Sequence, residues 1–269
     1  MKLIDIGINL MNPSYDKDRD EVVKAAVAAG VSPLVITGSS ERSSFDAALY
    51  TRRGAVKSGI LFATAGVHPH EARNCGNGTI DFLRELAAEN PESWSGAKAI
   101  GECGLDYNRD FSPRDVQRRW FVKQIELAAE LSLPLFLHER DAFADFSIIL
   151  GGYIKSVPAA VVHCFTGTGE ELDHYLSLGC YIGITGWICD ERRGKHLREL
   201  VKNIPPDRLM LETDGPYLFP RDLPLKVRSK RNEPRFLPHI AETVARCLDK
   251  DPAKLAKETF ANSKRFFGI

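Results

Sequence analysis

The sequence lacks a charge imbalance: 36 basic side chains stand against 36 acidic ones in 269 residues. No global field of one sign advertises a nucleic-acid partner, although a local patch is all that a phosphate meets. Long apolar runs are missing as well. The longest stretch without a formally charged side chain, residues 174–189, contains glycines, Ser177 and Thr185, and falls short of the roughly 20 apolar residues of a membrane span. Asp5, Gly7 and Pro13 interrupt the N-terminal region where a signal peptide needs an apolar core, so export is not expected and a cytoplasmic location is. The six cysteines form no C-x-x-C pair, and reduced, mostly structural thiols are expected. Also absent are a G-x-S-x-G elbow, a Walker phosphate loop and an H-E-x-x-H helix, which removes three common hydrolase and nucleotide-binding chemistries. What remains is 43% hydrophobic and 27% charged, enough for a sizeable core and too apolar for long disorder.

Against these absences stands a regular alternation. Short runs rich in Val, Ile and Leu occupy Leu3–Ile8 and residues 34–37, 61–67, 97–101, 134–138, 159–164, 180–185 and 209–213. Polar segments with helical spacing follow them, which is the signature of βα units. Within residues 115–131, Val116, Trp120, Phe121, Ile125 and Ala128 recur at spacings of three and four, and Leu237, Ile240, Val244, Cys247 and Leu248 repeat the stripe near the C-terminus. Such stripes face one side of a helix. Eight runs over this length predict an α/β fold of the (β/α)8 TIM-barrel type, one domain over residues 1–269, in preference to a doubly wound sheet.

A barrel of this type builds its active site at the C-terminal ends of the strands. There the runs end in Val67-His68-Pro69-His70, Gly101-Glu102-Cys103-Gly104, His138-Glu139-Arg140, His163 and Glu212-Thr213-Asp214. His138 and His163 each close an apolar run, where a rigid neutral imidazole can offer a ring nitrogen to a metal; a core histidine bonded to backbone is the alternative. Glu102 and Asp214 supply carboxylate oxygens, or else an internal salt bridge to Arg140. Together the four favour a divalent-metal site, which lowers the pKa of bound water and polarises a phosphoryl or carbonyl oxygen. His68, stiffened by Pro69, reads as a proton donor or phosphate contact, or as a turn cap. His174, His196 and His239 fall in helical segments, where solvated faces are expected. Arg140, Arg192, Arg193, Arg221, Lys230 and Arg231 follow the fifth, seventh and eighth runs, the last three within a basic loop over residues 221–235. They can track a phosphate backbone without reading its sequence; solvated surface charge is the alternative. Arg140, Arg192, Arg221 and Arg231 are taken as the substrate-binding set.

Five ordered motifs carry a resemblance: Asp5-Ile6-Gly7-Ile8-Asn9-Leu10, Ala65-Gly66-Val67-His68-Pro69-His70, Ala99-Ile100-Gly101-Glu102-Cys103-Gly104-Leu105-Asp106, His163-Cys164-Phe165-Thr166-Gly167 and Leu211-Glu212-Thr213-Asp214-Gly215-Pro216-Tyr217. With them the chain resembles, over nearly its whole length, the TatD family of metal-dependent deoxyribonucleases among the amidohydrolase-like barrels. The resemblance implies that Glu102 is the bridging or principal carboxylate ligand and that His138 and His163 are imidazole ligands. It implies that Asp214 is a ligand that also orients or deprotonates the attacking water, and that His68 contacts the scissile phosphate. Many relatives carry a His-x-His pair where this chain has Gly7-Ile8-Asn9, so one firmly held ion is expected, with a second arriving with substrate. Mg²⁺ is the expected ion, with Mn²⁺ or Zn²⁺ as alternatives. Glu139, beside His138, is expected to alter the charge of the pocket. The implied activity is 3′-to-5′ exonuclease action on single-stranded DNA, and on RNA, with a role in DNA repair or turnover; a monomer is expected. Two rival readings share the scaffold: a hydrolase of an amide, lactone or aminoacyl ester, and a nucleic-acid-binding protein with an incomplete metal centre.

Overall fold

The computed structural model describes residues 1–52, 59–88, 96–224 and 229–269, and residues 225–228 of the basic loop lie outside them. Every apolar run overlaps a strand: β1 (Leu3–Ile8), β2 (Val31–Ile36), β3 (Leu61–Ala63), β4 (Ile100–Asp106), β5 (Leu135–Arg140), β6 (Ala160–Val162), β7 (Tyr181–Ile184) and β8 (Leu209–Leu211). All pairings are parallel, in the orders β1-β2-β3 and β4-β5-β6-β7-β8. Two single bridges, Ala65 with Ile100 and Ile8 with Gly215, join the sheets at both edges. The ring is thereby closed, and the (β/α)8 barrel expected from the alternation is what forms.

The period of two along each strand sorts the side chains. Ile4, Ile6, Val35, Phe136, Val161 and Met210 fill the interior, where Phe266 and Phe267 of the C-terminal helix join them. Their alternates, among them Leu34, Ile36, Leu135, Leu137, Leu209 and Leu211, form a larger core between the strands and the outer helices. Two residues beyond Phe136, Val161 and Met210 come His138, His163 and Glu212, so the same alternation that packs the interior aims these three polar side chains at its mouth.

Helix α1 (Arg19–Ala28), α2 (Glu41–Arg52), α3 (Thr79–Ala87), α4 (Arg114–Leu131), α5 (Phe143–Tyr153), α6 (Gly169–Ser177), α7 (Lys195–Leu200), α8 (Leu237–Cys247) and α9 (Pro252–Phe267) surround the strands. On α4, Trp120, Phe121, Ile125 and Ala128 are buried as expected, but Val116 is only half-buried and the glutamines Gln117 and Gln124 take inward positions. The largest boundary difference is at β4, expected over residues 97–101 and found at Ile100–Asp106. Glycines permit the continuation: Gly101 and Gly104 have φ of +138° and +145°, and a Cβ on them would stand 2.1 Å from the Phe136 carbonyl oxygen and 1.9 Å from that of His138. Only glycine fits this left-handed backbone pressed against β5, and Glu102 rides between the two. Among the described residues no helix is long and apolar enough to cross a membrane.

Candidate active site

At the C-terminal mouth of the barrel, three imidazoles converge on one carboxylate oxygen. Oε1 of Glu102 lies 2.8 Å from Nε2 of His163, 3.0 Å from Nδ1 of His138 and 3.3 Å from Nε2 of His68. β4 presents the carboxylate, β5 carries His138, and His163 and His68 follow β6 and β3. Asp214 faces the same cavity, which has a volume of about 610 Å³ and is also lined by Asn9, Arg109 and Cys164. The Asn9 amide donates to Oδ1 of Asp214 at 2.9 Å, and the Asp214 backbone is left-handed with φ +53°. The expected set Glu102, His138, His163 and Asp214 is thus gathered in one place, and His68 stands within it.

A supporting layer fixes these groups. Glu212, fully buried, accepts from the Cys164 backbone N–H at 2.5 Å and lies 3.3 Å from Nδ1 of His163. Gly7 and Gly183 make its room, since a Cβ on either would come within 2.4 Å and 2.6 Å of its carboxylate oxygens. Position 7 therefore supplies space for Glu212 and no ligand atom of its own. Asp106 holds His70 at 2.6 Å and lies 3.5 Å from Nε2 of His138, a buried nitrogen with no hydrogen-bond partner.

Burial and charge set the protonation states. Burial would raise the Glu102 carboxyl, but the surrounding His68, His163 and His138 imidazoles hold it well below the usual carboxylate range. Burial pushes His68 down to about 4, so its ring is neutral near pH 7; its Nδ1 accepts from the His70 N–H at 3.0 Å, which places the ring proton on Nε2, toward Glu102. For His163, burial works downward while the Glu102 and Glu212 carboxylates lift it well above the ordinary imidazole value. Burial raises Asp214 to about 8; His163 opposes the rise, and Glu102 and Glu212 add to it. For His138, burial works downward while Asp106 and Glu102 lift it above the ordinary imidazole value. Buried Glu102 and Glu212 and half-buried Asp214 crowd one space, and a divalent cation fits this donor set: it would relieve the repulsion among the carboxyl groups, with the ring nitrogens of His138 and His163 that face Glu102 as further ligands. Cys164 also lines the cavity, but burial lifts its thiol well above the ordinary range, which leaves it a poor nucleophile.

The four substrate-binding arginines do not share one fate. Arg192 and Arg221 border a second cavity of about 250 Å³ with Trp187, Phe219, Arg193 and Lys230, each bonded to Asp190 at 3.2 Å. It adjoins the first, because Tyr217 lines one and Leu218 the other. Arg140 donates to Oγ1 of Thr166 at 2.8 Å and lies 5.2 Å from the ring centroid of Trp187, which lines the second cavity, but it lines neither cavity itself. Arg231 is not with them. Its guanidinium is held by Asp18 at 2.6 and 2.8 Å, by Glu233 at 2.8 Å and by the Ser14 carbonyl, over the Tyr15 ring, so it ties two loops together. Glu139 likewise points away from the pocket, accepting from the Ala142 N–H and the Tyr175 hydroxyl. His239 is not on a solvated face: its Nε2 lies 2.6 Å from Oδ1 of Asp222, beside buried Cys189. Arg198 stands 3.9 Å from that carboxylate, which balances its charge within the protein. The sequence gives no sign of Arg109, which carries no motif, and it places Glu212 in a run end without a role, since nothing local distinguishes it from Asp214 two residues on.

Comparison with known proteins agrees with the geometry. A sequence profile of the family described as TatD related DNase matches residues 4–268. A curated protein of Escherichia fergusonii named 3′-5′ ssDNA/RNA exonuclease TatD is 48% identical over 267 residues, covering 99% of each chain. One of the same name from Erwinia billingiae is 50% identical over 268 residues, again 99% of each. Among solved structures, a hydrolase TatD family protein from Entamoeba histolytica superposes with a TM-score of 0.86 at 27% identity, covering 99% of this chain and 98% of that one.

Proposed function

Because the chain belongs to the TatD-related DNase family, we propose that it degrades single-stranded DNA, and RNA, by hydrolysing phosphodiester bonds from the 3′ end. In this reading it acts as a monomeric, single-domain cytoplasmic enzyme in DNA repair or turnover. The observation that carries the reading is the convergence of His68, His138 and His163 on Oε1 of Glu102, at the mouth of a barrel bordered by arginines.

Glu102, His138, His163 and Asp214 would hold a divalent cation, Mg²⁺ first and Mn²⁺ or Zn²⁺ as alternatives, with His68 beside them. When bound, such an ion supplies a lower pKa for water and neutralises charge on the phosphoryl oxygens. The chain does the rest. Asp214, whose carboxyl burial lifts to about 8, would be ionised beside the cation's charge and, steered by the Asn9 amide, would take the proton of the attacking water. The neutral His68 ring contacts the scissile phosphate. Arg140, Arg192 and Arg221 hold phosphates of the strand away from the bond that breaks, and Arg231 ties the segment after β8 to Asp18 and Ser14.

The test is cleavage of 5′-labelled single-stranded and duplex DNA and of RNA by purified protein, with EDTA, Mg²⁺, Mn²⁺ and Zn²⁺ compared. The expected result is a metal-dependent ladder shortening from the 3′ end, abolished by His163→Ala. Hydrolysis of amides, lactones or aminoacyl esters with intact oligonucleotides would move the reading to another hydrolase. Oligonucleotide binding with steep salt dependence and no product in any metal would point to a scaffold.

A further inference from the structure

Phe111 and Tyr217 are 50% and 55% exposed, in a chain whose largest side chains are otherwise mostly buried. Both line the cavity that contains Glu102 and Asp214. A lone exposed aromatic ring needs no explanation, but two at one catalytic cavity mark a surface that meets something apolar. They come from opposite sides. Phe111 follows β4 and Tyr217 follows β8, and in a closed ring of eight strands the fourth and eighth stand across the barrel axis from one another.

Each ring is held in place before any ligand arrives. Phe111 packs edge-on against His70 with centroids 4.7 Å apart, and His70 is pinned to Asp106 at 2.6 Å. The Tyr217 hydroxyl accepts from the Asn12 amide at 3.2 Å, and its backbone N–H donates to the Asp214 carbonyl at 3.1 Å. Prearranged rings lose little freedom on binding. Arg109 lines the same cavity, and among the described residues no carboxylate pairs with its side chain.

We propose that Phe111 and Tyr217 form two stacking walls for the bases on either side of the scissile bond, with Arg109 on the neighbouring phosphate. The proposal rests on the nuclease reading and adds its specificity. A ring stacks on the face of any base, so the walls are indifferent to sequence. In a duplex those faces are covered by neighbouring pairs, so the walls admit single strands and frayed ends and turn away paired ones.

The test compares a single-stranded oligonucleotide with one whose last two nucleotides are abasic. Binding is read by fluorescence anisotropy in EDTA, where no cleavage competes, and KM and kcat are read in Mg²⁺. Wild type should bind the intact strand more tightly than the abasic one. Phe111→Ala and Tyr217→Ala should each weaken binding of the intact strand by roughly 5- to 150-fold, raise KM with kcat little changed, and narrow the difference between the two strands, which the double variant should abolish. Phe111→Trp and Tyr217→Phe should restore the difference. The proposal is overturned if the alanine variants bind the intact strand as wild type does, or if they lose equal affinity for both strands. Degradation with unchanged KM in both variants would end the stacking walls and leave the nuclease reading standing. No degradation by wild type in any divalent cation would end the nuclease reading, while the anisotropy comparison still decides the walls.

Discussion

Gln117 and Gln124 lie two helical turns apart on α4, and each clamps the backbone at the end of a different strand. Gln124 accepts from the Val67 N–H at 2.7 Å and donates to the Val67 carbonyl at 3.0 Å. Gln117 accepts from the Asp106 N–H at 2.9 Å and donates to the carbonyls of Asp106 and Ser112 at 3.2 and 2.8 Å. Val67 immediately precedes His68, and Asp106 holds His70 and faces His138. One helix face thereby sets the height of two walls of the site.

Gln124→Leu leaves a buried N–H and a buried carbonyl without partners. The expected cost is about 1–3 kcal/mol for each group, read as a lower denaturant midpoint with unchanged slope. Activity should fall as well, because the backbone at Val67 that leads into His68 loses its clamp, leaving the His68 N–H bond to the Ser39 carbonyl and the Glu71 N–H bond to the His68 carbonyl. A variant as stable and as active as wild type would show that water or a shifted turn replaces the clamp.

Arg231 and Arg221 should part company under mutation. Arg221 is exposed at the second cavity with a single carboxylate neighbour, whereas Arg231 is enclosed by Asp18, Glu233 and the Tyr15 ring. Arg221→Ala should reduce the slope of log binding constant against log salt by about 0.7 on a single strand, the share of one phosphate contact, and leave the melting temperature alone. Arg231→Ala should lower the melting temperature and leave that slope unchanged. The reverse pattern, measured by calorimetry and by salt titration of oligonucleotide binding, would overturn both assignments.

Asp5 links stability to pH. It is fully buried on β1, bonded to the Thr213 N–H and hydroxyl, and burial raises its carboxyl from 3.8 to about 7. A raised folded-state pKa contributes stability that is complete below 3.8 and lost as pH climbs through about 7, since ionising the group in the folded protein costs more than in the unfolded chain. Between pH 5 and pH 8.5 the melting temperature of wild type should therefore fall more steeply than that of Asp5→Asn. Parallel curves would mean that Asp5 ionises as easily inside the barrel as outside it.

The parts of this molecule that follow from local periodicity were readable in advance. Phe136 with His138 and Val161 with His163 obey the two-residue repeat of a strand, so an apolar run ending in a histidine already says where that histidine points. Features set by distant residues were not. Gly7 reads as a missing ligand until Glu212, 205 positions later in the chain, is seen to fill the space beside it. Arg231 and Glu139 look like free charges because their partners, Asp18 and Tyr175, lie far away in sequence. The buried glutamines of α4 gave no signal either, since a glutamine on a helix is ordinarily solvated and only the ends of β3 and β4 explain these two.

Strand hydrolysis, in this reading, depends on one cation site formed by Glu102, His138, His163 and Asp214. The most direct measurement is calorimetric titration of Mn²⁺ into wild type and Glu102→Ala, with degradation of a single-stranded oligonucleotide assayed on the same samples. The account predicts that wild type binds the ion and shortens the strand, and that Glu102→Ala loses both while its melting curve stays cooperative. A Glu102→Ala protein that binds Mn²⁺ and degrades the strand as wild type does would contradict it.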